Sequence, residues 1–168
     1  LGVTQGFLPI AGYNHGAGNP HRVRESINKA ILYASILALF VFAIIMIFPK
    51  EIVSVFTQDK TILKETPGAM RWVFAAIPII ALQLIGSAYF QAIGKALPAL
   101  LLTLTRQGFF FIPLILILPK YFGEFGVWIS FPLADVISTI VTGFFLNREI
   151  RHHLKPEEME EQASPQKF

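Results

Sequence analysis

Asp135 is the one carboxylate in an apolar stretch covering roughly residues 126–147. Helical spacing puts Pro132, Asp135, Ser138, Thr139 and Thr142 on one stripe. A carboxylate at the centre of a lipid-spanning helix costs about 2.5–3.5 kcal/mol on insertion scales, so it seldom faces acyl chains. Such a stripe suits the wall of a watered cavity that binds a proton or a cation. The plainer reading is a carboxylate near the external third of its helix, hydrated or bonded to a neighbour. Gln83, Ser87 and Gln91 recur every four residues beside Gly86 and Gly94 and form a second polar stripe. This stripe either lines a cavity or ties helices together, each tie being worth about 0.6 kcal/mol in lipid. Arg106 lies early in the third apolar run. It reads as an anchor that snorkels to the interface, or as a staple between helices. No pairing with Asp135 is expected, because the two should sit toward opposite leaflets.

Other chemistry is poorly supported. His15, His21, His152 and His153 have no metal-ligand spacing, and His152-His153 read as surface neighbours in a basic tail. The chain has no cysteine, which excludes disulfide and thiolate chemistry. No Ser-His-Asp arrangement, P-loop or GxGxxG stands in the sequence. The reading is therefore a non-enzyme without cofactor or metal.

The elements that position these residues are four apolar runs, roughly 28–48, 70–93, 97–118 and 126–147. Each approaches the 20 or so helical residues that cross a hydrocarbon core about 30 Å thick. Charged residues make up 15% of the chain, against about 25% in soluble domains, and the deficit lies in these runs. Lys29 at its edge is the only charge in the first run. A soluble core helix of such length would keep a polar face. The net charge of +3 comes from Lys and Arg near the ends of the runs. That placement speaks for membrane topology rather than nucleic-acid binding.

Residues 1–13 are apolar but too short to span, and read as the last half of a helix whose beginning precedes Leu1. No secretory signal leads the chain. Gly2 with Gly6, and Gly12 with Gly16, have the small-xxx-small spacing that lets helices approach closely. Gly2, Gln5, Gly6 and Pro9 are accordingly read as packing or bending positions. Residues 51–66 read as one amphipathic helix lying at the interface, broken by Pro67-Gly68. Pro78 should kink the second span, while Pro113 and Pro132 are bending positions in the third and fourth. Gly94-Lys95 marks a tight turn, Pro98 a helix start, and Pro119-Lys120 the end of the third span. The fourth span should start near Gly126 and end at Asn147-Arg148. Trp72 and Trp128 fall near span ends, as interface anchors do, and Phe109, Phe110 and Phe111 read as packing or lipid-facing residues.

The expected fold is an all-α polytopic membrane protein with about four full spans after an N-terminal half helix. Residues 1–150 carry the spans, and 151–168 a polar, disordered tail. Loops on one side hold Arg22, Arg24, Lys29, Lys95, Arg148, Arg151, Lys155 and Lys167. Those on the other hold Lys50, Lys60, Lys64, Arg71 and Lys120. The positive-inside rule puts the richer side, with the C-terminus, in the cytoplasm.

The series Gly2-x2-Gln5-Gly6-x2-Pro9-Ile10-x-Gly12-Tyr13-Asn14-x-Gly16-Ala17, followed by Arg22 and Arg24, resembles the multidrug and toxic compound extrusion (MATE) family. It matches the end of that family's eighth helix and the loop after it. Phe56-Thr57-x-Asp59, Phe90-Gln91-Ala92-x-Gly94-Lys95, Arg106, and Gly126-Val127-Trp128 with Pro132-x-x-Asp135 continue in the family's order. Each piece is weak alone, and the ordered series is specific.

The resemblance implies part of a secondary antiporter in the plasma membrane, the inner membrane of a cell with two. Such proteins export drugs, organic cations and other small amphiphiles in exchange for protons or sodium ions. The family plan has two six-helix lobes around a cavity, so the resemblance makes residues 1–150 a partial C-terminal lobe and assigns this chain a missing N-terminal lobe as partner. Two other readings stand beside it. A lipid-linked oligosaccharide flippase of the same superfamily would want strongly cationic cavity positions, and only Arg106 lies deep in a span. A truncated membrane protein that packs without transporting is the other.

Overall fold

The computed structural model describes residues 2–153, and every regular element among them is helical. The expected tail lies outside this range beyond His153. Helix α1 spans Gly2–Gly16, α2 Pro20–Ile47, α3 Pro49–Phe56, α4 Lys60–Val73 and α5 Ile77–Ala92. Then come α6 at Ala96–Leu104, a π-helical segment at Thr105–Phe111, α7 at Ile112–Phe122 and α8 at Glu124–His153.

Three stretches are long and apolar enough to cross a membrane: α2, the continuous α6–π–α7 rod, and α8. The bent pair α4 and α5 makes a fourth when the two helices are counted as one broken span. The protein is a multi-pass, all-helical membrane protein. Helix α5 is the hub, packing against α1, α2, α6 and α8. The core joins Phe7 and Ala11 of α1, Val23 and Ile27 of α2, Ile85, Tyr89 and Phe90 of α5, Leu102 of α6 and Leu146 of α8. Most other large apolar side chains point outward, including Leu39, Phe40, Leu116 and Ile140. That pattern suits a lipid solvent, in which every backbone N–H and C=O must be satisfied inside the helix.

Several boundaries differ from the sequence reading, each for a local reason. Residues 51–66 are not one helix, because the chain breaks at Thr57–Asp59 instead of at Pro67-Gly68. Asp59 caps α4, its Oδ1 accepting from the N–H of Thr61 at 2.7 Å and of Ile62 at 3.4 Å. Pro67 forgoes one hydrogen bond within α4, and its ring is buried, so α4 runs on to Val73. The second span is interrupted at residues 74–76 and bends by 47°. Pro78 lacks the N–H that would reach the Phe74 carbonyl, and the Ile77 N–H takes that carbonyl at 3.2 Å. The third span continues through Pro119 to Phe122, and the fourth starts at Glu124 and ends beyond Arg148.

Two glycines set the hairpin between α7 and α8. Gly123 turns the chain at φ +58°, a region that costs other residues strain. At Gly126 a Cβ would stand 2.5 Å from the backbone carbonyl of Leu118 and 2.7 Å from the nitrogen of Pro119. Backbone cannot yield as a side chain can. Gly126→Ala should therefore lower stability by about 1–3 kcal/mol, the usual range for overpacking. Gly68→Ala in α4 has open space and should be neutral or stabilising by up to about 1 kcal/mol. Thermal unfolding of both variants in detergent checks the contrast; equal effects would refute the close approach.

Candidate functional site

The π segment begins beside the residue that the site needs. Pro113 cannot donate to the carbonyl of Phe109, and the widened π turns just before it absorb that mismatch. Such turns aim side chains differently from an α-helix and recur at functional positions. Here the segment carries Arg106.

Arg106 pairs with Asp135 of α8. Its Nε donates to Oδ1 at 2.5 Å, and Nη2 approaches Oδ2 at 3.5 Å. The Asp135 side chain is 7% exposed and that of Arg106 34%. This overturns the expectation that the two lie toward opposite leaflets. Gly123 folds α7 and α8 antiparallel, and Phe111 meets Phe131 across the hairpin with ring centres 4.6 Å apart. About one turn farther from Gly123 on each helix, Arg106 and Asp135 stand opposite each other, within reach of the long arginine stem. The sequence held a signal: one acid and one base stood within consecutive antiparallel spans, and buried charges are found paired.

Beside the pair opens a cleft of about 310 Å³ lined by Arg106, Gln107, Phe111, Phe131, Ala134 and Asp135. Phe111 and Phe131 meet with their rings tilted at 53° and ring centres 4.6 Å apart. The cleft thus presents an aromatic wall next to a carboxylate and a guanidinium. That combination can hold a flat amphiphile, or let a small cation compete with Arg106 for Asp135.

The other predicted residues fall in different places. Ser138, Thr139 and Thr142 are buried in α8, and Gln83 is buried in the facing helix α5. Gln83 Oε1, Ser138 Oγ, Thr139 Oγ1 and Thr142 Oγ1 find no hydrogen-bond partner among the described residues. Gly86 lets the helices close, since a Cβ there would collide with Thr142 Cγ2. Ser87 donates to the Leu84 carbonyl in its own helix at 3.1 Å, and Gln91 is exposed at the end of α5. The stripe from Gln83 to Gln91 therefore does not share one environment. Pro132 is buried within an unbroken α8, while Gln5 and Pro9 are exposed on α1.

Of the glycines and motif residues in α1, Gly12 packs against the Ala92 carbonyl, 3.1 Å from where its Cβ would stand. Gly2, Gly6 and Gly16 meet no other element within 4 Å, so among the described residues only Gly12 realises the close approach. The reason is facing: α1 turns Phe7, Ala11 and Asn14 inward, and Gly2 and Gly6 lie on the exposed side. Asn14 donates to the Ile10 carbonyl at 2.8 Å, and Tyr13 and Ala17 are exposed. No three His, Cys, Asp or Glu side chains cluster as a metal site among the described residues.

The family model MatE matches residues 1–117. The chain belongs to the MATE family. The probable multidrug resistance protein NorM of Thermotoga maritima is 25% identical over 151 residues, covering 88% of this chain and 32% of that protein. The multidrug export protein MepA of Staphylococcus aureus (strain N315) is 26% identical over 83% of this MATE chain and 31% of its own length. The structure of the MATE multidrug transporter DinF-BH in complex with R6G matches at TM-score 0.83 and 40% identity, over 89% of this chain and 33% of that one. Inward- and outward-facing structures of a multidrug resistance MATE family transporter share the fold at TM-scores of 0.84 and 0.83. The chain spans about a third of the length of these relatives.

The ion pair makes an asymmetric prediction for stability. Arg106→Met leaves a buried carboxylate alone and should cost about 3–5 kcal/mol. In Asp135→Asn the Arg106 side chain, a third of it exposed, can turn to water, so the loss should be smaller. The double variant Arg106→Met/Asp135→Leu should recover most of the stability. Melting temperatures of the four proteins test this, and a double variant no better than Arg106→Met would rule the pairing out.

Proposed function

We propose that this chain forms the closing part of the second lobe of a secondary antiporter. That antiporter exports drugs or organic cations across the plasma membrane in exchange for protons or sodium ions. The observation that carries the reading is an intramembrane carboxylate, Asp135, held by Arg106 at the edge of an aromatic-walled cleft. The names of the MATE relatives, multidrug resistance and multidrug export proteins, support the cargo class. The working partner is the remaining two thirds of such a transporter, a first lobe together with the opening helices of the second. Alternating access requires two bundles rocking about a site between them.

In this reading an incoming proton or sodium ion competes with Arg106 for the Asp135 carboxylate. Loss of the pair would free the guanidinium and leave the π segment that carries it without its tie to α8. An ion shifts the equilibrium only through its different affinity for the paired and unpaired forms. Gln83, Ser138, Thr139 and Thr142 supply neutral oxygens along the α5–α8 seam, and Ser87 and Gln91 extend the polar edge of α5. The basic loops support a cytoplasmic C-terminus. A flippase for polyanionic lipid carriers is disfavoured, because Asp135 neutralises the guanidinium of Arg106.

Asp135→Asn in the complete transporter should leave expression near normal and reduce ion-driven drug efflux by about fivefold or more, the scale of a typical coupling energy. Drug accumulation in energised vesicles measures it. Unchanged transport would remove Asp135 from the mechanism.

A further inference from the structure

The end of the bundle opposite the Gly123 hairpin carries a second polar cavity, independent of the ion pair. Gly94, at φ +75°, turns the chain so that Lys95 caps the start of α6. The last turns of α8 lie against this corner. The cavity there measures about 490 Å³ and is lined by Lys95, Arg148, His152 and Glu149, with Phe90 and Phe145 on its apolar side. Lys95 Nζ donates to Glu149 Oε1 at 2.5 Å. The lysine retains two further N–H donors and is 40% exposed, while Glu149 is 13% exposed. The acid is thus neutralised from within, and Arg148 adds an exposed guanidinium. The lining carries a net positive charge before His152 is counted.

Depth fixes what can reach this cavity. Arg148 lies thirteen residues beyond Asp135, about 20 Å along α8 at 1.5 Å per residue. Half the hydrocarbon thickness is about 15 Å. With Asp135 near mid-span, the basic groups therefore stand at headgroup level. Phe145 is 45% exposed and Phe144 65%, on the turns just below, at the depth of the upper acyl chain. The same end of the bundle carries Arg22 and Arg24, because Gly12 of α1 packs on the end of α5 at Ala92. A basic rim over an aromatic floor at that depth complements one chemistry.

We propose that this cavity binds the phosphate headgroup of an anionic phospholipid, with Lys95, Arg148 and His152 on the phosphate and Phe90 and Phe145 against the glycerol and acyl chain. Basic pockets between spans at a membrane surface hold anionic headgroups in this way. The lipid would clasp the α5–α6 turn to the end of α8, bridging the hub helix and the helix that carries Asp135.

Native mass spectrometry of the full chain in detergent, titrated with phosphatidylglycerol or phosphatidylcholine, tests the site. Phosphatidylglycerol should bind at least about fivefold more tightly, with Arg148→Gln/His152→Gln losing that preference, since a basic residue near the surface contributes about fivefold. Arg151→Gln, whose Nε donates to Asn147 Oδ1 outside the cavity, should keep it. Equal binding of the two lipids would overturn the proposal. So would an equal loss in Arg151→Gln, which would indicate diffuse surface charge. Displacement of the lipid by millimolar glycerol phosphate would assign the cavity to a soluble anion and overturn the lipid assignment.

Discussion

A hydrocarbon slab offers no water to a stranded polar group, and that constraint shapes every described element of this chain. It forces the backbone into helices that satisfy their own carbonyls and amides. It also forces Asp135 to find a partner, which it does in Arg106. Removing a charge from water costs several kcal/mol per ion, so such a pair persists only with close geometry and shared hydrogen bonds. The bond between α8 and the π segment therefore does more than join two helices. It forms one wall of the cleft beside Phe111 and Phe131.

Prolines and glycines distribute strain along this scaffold. Pro78 stands where the second span bends, and Pro113 stands just after the π segment. Each removes one helical hydrogen bond, and the chain answers with a break in one case and widened turns in the other. Gly86 and Gly126 act in the opposite sense. They let backbone or side chain come closer than any Cβ would permit, at Thr142 and at the Leu118 carbonyl. Flexible joints and close contacts thus alternate along the rods that carry Arg106, Gln83 and Asp135.

The polar seam between α5 and α8 differs in kind from the ion pair. Ser138, Thr139, Thr142 and Gln83 are buried with oxygens that no described group satisfies. Serines and threonines in helices commonly bond back to their own carbonyls, as Thr103, Thr105 and Ser130 do here. Four unsatisfied oxygens in one seam are a costly arrangement for a purely structural interface.

Much of this was legible before any coordinates. Run length and the scarcity of charge revealed the spans, because thickness and hydropathy act locally along the chain. The Gly94 turn and the Pro78 bend were readable for the same reason. The break at Asp59 was missed because a side-chain cap outweighed the better-known breaker at Pro67. The facing of Gly2 and Gly6 was missed because spacing identifies a small-residue stripe but not what lies opposite. The partner of Asp135 depended on hairpin register, on a π segment and on the reach of one arginine. Distances between helices are sums of such small offsets, so residue types and spacing determined which groups needed company, and only the packed tertiary structure decided which company they found.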